Sequence, residues 1–393
     1  MNKTLRYLIV IALISLILVV GDLLLRVGDM SEPVYVDGAL VIPEEILENK
    51  FGFLGGHPGD SDFILEAGAK WIRPHLGPFL WESMQEDVGE DYDFKVTDNL
   101  VKAYQDDSIG LLITLWPYAE WDLKNRLDYS DCAVGKNDEF LPDIRVKDEM
   151  YLPLHRCNPH DWNAYEDWVI AVVERYDGDG VDDMPKLVMP IKHWEVMNEP
   201  DLSWDNSEFK DTRLDFYQEG PEEYAELLKK TYTAIKSADY DAEVVIAGAA
   251  GGNESFLEFY RQVFEVSGIE NYFNIANVHC ISNDEYENFN VVPYSELLDE
   301  FDIDKPIWVT EAEAIVFDDS DENVEQTQES VGGALAAGAE KIFFTRFGFE
   351  NDRMMDHKDS EKKLPEEEEN LLNKLTKGKD DSEVVESYRG IIE

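Results

Sequence analysis

From residue 51 onward, short β-prone runs alternate with stretches whose apolar residues recur at spacings of three and four. No other feature limits the fold of this chain as strongly, because it is the pattern of repeated βα units. Residues 51–54, 71–73, 111–116, 193–197, 244–247, 273–279, 307–310 and 341–345 make eight candidate strands. Eight such strands with helices between them predict an α/β fold, a (β/α)8 TIM barrel. Its usual ~250 residues leave room for insertions in a chain of 393.

The helices follow the same logic. Asp161 is a good N-cap, and Tyr165, Trp168, Val169, Val172, Val173 and Tyr176 after it make one apolar stripe. Pro221 opens another helix, with Tyr224, Leu227, Leu228, Thr231 and Ile235 on one face. Gly332, Gly333 and Gly338 suggest close packing of a helix on the sheet. Residues 122–160 exceed an ordinary βα connection and are expected to fold over one end of the barrel. The polar tail beyond residue 350 predicts a last helix over 384–392.

The chain holds 85 acidic and 34 basic residues, a net charge of −51. Such a surface repels nucleic acid and anionic lipid, so a neutral partner is expected. Three cysteines are too few for a disulfide scaffold. Cys132 and Cys157 flank the long connection and Cys280 lies in an apolar run, so one surface disulfide and one buried thiol are expected in an exported chain. Lys3 and Arg6 precede an apolar run over 8–20, as in an export signal. That run falls short of the ~20 residues of a membrane span, and cleaved signal and uncleaved anchor both stay open. The expected layout is a signal or membrane anchor at 1–25, a linker at 26–48 and one barrel domain at 49–393.

Functional side chains of such barrels sit at the C-terminal ends of strands. That filter leaves Arg73 and His75 at the second strand, Asn198 and Glu199 at the fourth, His279 at the sixth and Glu311 at the seventh. Two carboxylates facing each other across a barrel mouth suit glycosidic cleavage. One holds a proton for the leaving oxygen, and the other stays ionised to attack the sugar. Arg73 is expected to keep Glu311 ionised, and apolar surroundings with the Glu311 charge to keep Glu199 protonated. Trp81, Trp116 and Trp121 lie just past strand ends, where an indole face either stacks on a sugar ring or packs a loop.

These residues resemble glycoside hydrolases of clan A. "WEVMNEP" is similar to the strand-4 motif, which maps the sugar-binding amide to Asn198 and the acid/base to Glu199. "IWVTE" is similar to the strand-7 motif and maps the nucleophile to Glu311. "WIRPHLGPFLWE", "DYDFKVTDNLVKAY" and "LLITLWPYAEWD" resemble strands 2 and 3 of family 39 and family 5 members, and the likeness runs over residues 51–347. The resemblance implies a retaining glycosidase that needs no cofactor, with Arg73, His75, Trp116, Asn198 and His279 around an oligo- or polysaccharide.

Two positions depart from the pattern. The strand-6 His-x-Tyr reads His279-Cys280-Ile281, and the strand-8 tryptophan is replaced by Thr345, Arg346, Phe347 or Phe349. These losses leave a rival reading, a cell-surface glycan-binding barrel without turnover. Separately, "DGDGVDD" offers Asp177, Asp179, Asp182 and Asp183 as oxygen ligands for a structural calcium, with Gly178 and Gly180 allowing a tight turn. A solvated acidic turn is the plain alternative.

Overall fold

Eight strands run parallel around the molecule, and the loops at their C-terminal ends carry the polar side chains that matter below. The computed structural model describes residues 33–36, 39–55, 60–134, 152–204, 215–280, 288–312, 321–345 and 381–392. The strands are β1 (Phe51–Leu54), β2 (Trp71–Arg73), β3 (Gly110–Leu115), β4 (His193–Val196), β5 (Glu243–Ile246), β6 (Ala276–Cys280), β7 (Ile307–Ala312) and β8 (Ala339–Thr345). Their order is β5-β4-β3-β2-β1-β8-β7-β6. Parallel bridges from Val245 to Ile275 and from Ala249 to Val278 join the two ends and close the barrel. Each expected strand is present, with ends displaced by up to three residues.

One register detail shapes the mouth. β6 and β7 pair Val278 with Val309 but His279 with Glu311, so Thr310 is an extra residue in β7. A bulge of this kind re-aims side chains locally, and here Thr310 reaches Asn277 on the neighbouring strand while Glu311 reaches Arg73 on β2.

The helix Trp162–Glu174 starts at Asp161, whose carboxylate accepts from the N–H groups of Asn163 and Ala164. The six residues of its apolar stripe are all buried against the sheet. Pro221–Ala238 begins at the expected proline and buries the expected face. The last helix, Asp381–Ile392, seats Tyr388 edge-on against Phe53, with ring centroids 5.0 Å apart.

Three expectations need correction. Residues 26–48 are not simply a linker: Ile42 and Ile46 are buried in the barrel floor, and the Ile46 carbonyl accepts from the Trp71 indole at 2.7 Å. The apolar residues of this segment come in clusters that follow no single helical or strand period, which hid this role. Gly332 and Gly338 do not mark close packing, since a Cβ at either would meet nothing within 4 Å. Gly338 instead holds φ at 104°, a turn that disfavours other residues. The Cys132–Cys157 disulfide forms, but it is buried beside Leu123 rather than on the surface.

The expected signal or anchor at 1–25 lies outside the described residues. Among the described residues, no helix is long and apolar enough to cross a membrane. Of the long connection, residues 135–151 also lie outside them.

Candidate active site

Arg73 organises the mouth from below. Its side chain is fully buried at the end of β2, where its guanidinium forks across three partners. Nε donates to Glu195 at 2.8 Å, Nη1 to Glu311 at 2.6 Å and Nη2 to Asn198 at 2.6 Å. Glu195 also accepts from the Thr114 hydroxyl and from Asn277 Nδ2 at 2.8 Å. A buried guanidinium with two carboxylates and an amide oxygen is well compensated.

Above this layer lie Glu199 and Glu311. One carboxylate oxygen from each, with one ring nitrogen of His279, fall within 4.8 Å of one another, and all three residues are buried. His279 Nδ1 is 2.7 Å from Glu199 Oε1 and 3.7 Å from Glu311 Oε1. Its Nε2 is 2.9 Å from the Thr310 hydroxyl. A Cβ at Gly248 would lie 2.1 Å from His279 Nε2, so only glycine admits the imidazole there. Asn290 Nδ2 holds the His279 carbonyl at 2.7 Å.

Asn198 and Glu199 end β4 in an unusual backbone. Met197 has φ of 68° and Glu199 of 40°, a region that costs ordinary residues energy and collects at functional sites. Pro200 follows at once, so the strand cannot continue and the carboxyl projects over the mouth. Asn198 Nδ2 is buried without an aligned hydrogen bond, and the amide acts on the neighbouring Glu199 carboxyl, whose upward shift it opposes.

The two carboxyls sit in different fields. Burial is the main cause that raises Glu199, to about 7; Arg73 opposes it and the Glu195 charge adds to it. Glu199 and Glu311 also repel one another, and the Glu195 anion beneath adds a charge that the sequence did not point to. Glu311 is also raised by burial, with Glu199 adding to the shift while His279 and Arg73 oppose it. Arg73 thus acts in the expected direction but does not outweigh desolvation. Since Arg73 bonds Glu311 directly, the negative charge of the pair belongs there. His279 is pushed down to about 4 by burial first, so it is neutral at ordinary pH. His75, also driven down by burial, stands 3.9 Å from Glu311.

Trp116 and Trp81 are covered, which a sugar platform cannot be, whereas Trp121 is half-buried. Trp116 is fully buried, donates its indole N–H to the Leu76 carbonyl at 2.6 Å and packs against Phe216. Trp81 is equally buried, with Trp121 edge-on at 4.9 Å. Arg73, His75, Asn198, Glu199, His279 and Glu311 do converge. Of the strand-8 candidates, Thr345 is buried and the other three lie outside the described residues.

The sequence reading missed Glu195, Asn277, Thr310 and Asp201. A charged residue in the middle of the apolar strand 193–196 was the available signal for Glu195. Asp201 is buried, accepts from the Ala250 N–H at 2.9 Å and has its other oxygen without a partner. Burial first, then the Glu199 charge, hold its carboxyl well above the usual carboxylate range.

The acidic turn lies at the opposite end of the barrel, where the chain enters β4. Its carboxylates mostly cap backbone. Asp177 accepts from Asp179 N–H, Asp179 from Val181 N–H, and Asp183 from the N–H groups of Gly178 and Gly180. The oxygens that converge within 4.8 Å belong to Glu174, Asp177 and Asp179. Asp182 and Asp183 do not join them, because the turn directs Asp183 onto amides instead. Gly178 and Gly180 hold φ of 80° and 95°.

No family model matches the sequence, and no curated protein does. Among solved structures, the fold is similar to a glucosidase from Croceicoccus marinus, with 15% identity and a TM-score of 0.49 over 76% of this chain. It is also similar to a family 39 glycoside hydrolase from Bacteroides cellulosilyticus WH2, with 16% identity and a TM-score of 0.47 over 79% of this chain. The chain spans 59% and 60% of the lengths of those two proteins. Xylanase 10B from Thermotoga maritima has 15% identity and a TM-score of 0.46, over 78% of this chain and 86% of that one. These are likenesses of fold only.

Proposed function

We propose that this chain is an exported retaining glycoside hydrolase acting on an oligo- or polysaccharide. The observation that carries the reading is the pair Glu199 and Glu311, buried at the barrel mouth with carboxylate oxygens within 4.8 Å. Retention takes carboxyl groups ~5–5.5 Å apart, whereas inversion takes ~6.5–9.5 Å to admit a water between sugar and base. One oxygen of each carboxyl lies within 4.8 Å of the other, which favours the retaining arrangement.

In this mechanism Glu311 attacks the anomeric carbon while Glu199 gives its proton to the departing glycosidic oxygen. The sugar is then joined to Glu311. Glu199, now ionised, removes a proton from water, which attacks the same carbon and releases Glu311. The Asn198 amide and His75 are the neutral groups offered to sugar hydroxyls. Trp116 contributes by packing beneath His75, with ring centroids 6.3 Å apart, rather than as a platform. No cofactor takes part.

Export is supported by the Cys132–Cys157 disulfide, a bond suited to an oxidising compartment. N-terminal membrane anchoring belongs to the same proposal. A structural calcium does too, with Glu174 joining Asp177 and Asp179 as donors in place of Asp182 and Asp183.

A panel of aryl glycosides tests the activity. Hydrolysis of at least one is expected. Glu199→Gln should slow turnover of substrates with poor leaving groups by ~10²–10⁴. Saturable glycan binding with no hydrolysis of any member would favour the glycan-binding barrel instead.

A further inference from the structure

The polar layer beneath the two carboxyls has a direction, and it follows from donor and acceptor chemistry alone. Glu195, ion-paired with Arg73 at 2.7 Å, only accepts hydrogen bonds. The Asn277 group facing it at 2.8 Å is therefore the amide nitrogen. That turns Asn277 Oδ1 toward Thr310 Oγ1, 2.9 Å away. An amide oxygen cannot donate, so the single Thr310 proton points to it. Thr310 Oγ1 is left with lone pairs toward His279 Nε2 at 2.9 Å, and that contact closes only if Nε2 carries a proton.

We propose that Asn277 and Thr310 are positioning residues for the acid: they hold His279 as the Nε2–H tautomer, so that bare Nδ1 accepts the proton of Glu199. This rests on the glycosidase reading above for its catalytic meaning. The 2.7 Å contact between Nδ1 and Glu199 Oε1 is then an O–H···N hydrogen bond with the proton on the carboxyl. The other charged or titratable groups around the ring are Glu311, Arg73, Glu195 and His75, and Asp201 lies beside Glu199. Burial keeps the ring neutral, so it has no second proton to place on Nδ1.

The arrangement serves both halves of the reaction. Before the first step it keeps a proton on Glu199. After that proton has gone to the leaving group, the Glu199 carboxylate faces a lone pair, which makes it a stronger base toward water. The proton taken from water restores the hydrogen bond.

The tautomer is read directly by long-range 1H–15N NMR on protein labelled at histidine nitrogen, with the ring assigned by a His279→Asn variant. The expected result near pH 6 is a protonated Nε2 and a bare Nδ1. A proton on Nδ1 would overturn the inference, whether or not the protein is active. Thr310→Val should mix the two tautomers and lower the basic limb of kcat/KM by roughly one pH unit on substrates with poor leaving groups. Thr310→Ser should restore both readouts. An unmoved tautomer and pH profile in a folded Thr310→Val protein would also overturn it. The expected tautomer in a protein that hydrolyses no glycoside would leave this inference standing and remove the glycosidase reading.

Discussion

His279 Nδ1 lies 1.0 Å closer to Glu199 than to Glu311, at 2.7 Å against 3.7 Å. The imidazole therefore belongs to the acid, while the guanidinium of Arg73 belongs to the nucleophile. One carboxyl is paired with a neutral acceptor and the other with a fixed cation, which separates their roles.

The first prediction concerns pH. Glu199 is raised from its ordinary value to about 7, so its acid form is fully present in weak acid and is lost as pH rises through 7. For substrates with poor leaving groups, kcat/KM should fall above about pH 7 with unit slope. Substrates with good leaving groups need little protonation and should show a flatter basic limb. The sign for stability is the same. Burying this group favours folding most below its unfolded pKa, and that contribution fades as pH rises through 7.

Arg73→Ala removes the cation between Glu195 and Glu311 and leaves both buried without their countercharge. Breaking a buried ion pair from one side costs about 3–5 kcal/mol, read as a fall in denaturant midpoint. Arg73→Lys should recover only part of the loss, because an ammonium cannot fork to Glu195, Asn198 and Glu311 together. A midpoint unchanged in Arg73→Ala would remove Arg73 from the centre of this account.

Much of the barrel was legible because its strands are short apolar runs bounded by turns, and each was found within three residues at either end. Glu199 and Glu311 were legible because both motifs stop on a carboxylate. The layer that orients them was not. That Thr310 reaches inward beside Glu311 depends on the β7 bulge, a property of strand pairing rather than of β7 alone. Which side chains meet across the barrel, such as Asn277 with Glu195, is likewise absent from any one segment. Trp81 and Trp116 follow strand ends as sugar-stacking residues would, yet the chain folds back over both. Position along the chain does not reveal that cover.

The Cys132–Cys157 bridge closes a segment with a sequence separation of 25. By loss of unfolded-state entropy it should contribute about 3 kcal/mol. A Cys132→Ala, Cys157→Ala double variant should lose about that much, checked by equilibrium unfolding. No loss at all would mean that the described residues of the long connection are held by other contacts, such as Arg126 with Glu219.

At the acidic turn, Asp177 is pushed up to about 7, by burial first and then by Asp179, Glu174 and Asp183 on balance against the Asp179 N–H. A divalent cation there would relieve that repulsion. Melting temperature should rise with calcium over chelator at constant ionic strength, and Glu174→Gln should abolish the rise. Equal melting temperatures would leave the loop as a backbone-capping turn.

Covalent trapping tests the central claim most directly. A panel of 2-deoxy-2-fluoro glycosides with good leaving groups should slow release of the sugar from the enzyme, and intact-mass measurement with peptide mapping should then find it on Glu311. The account predicts one sugar per chain, attached at Glu311, and none in Glu311→Ala. A sugar attached to any other residue, or turnover of ordinary glycosides with inverted anomeric configuration, would contradict it.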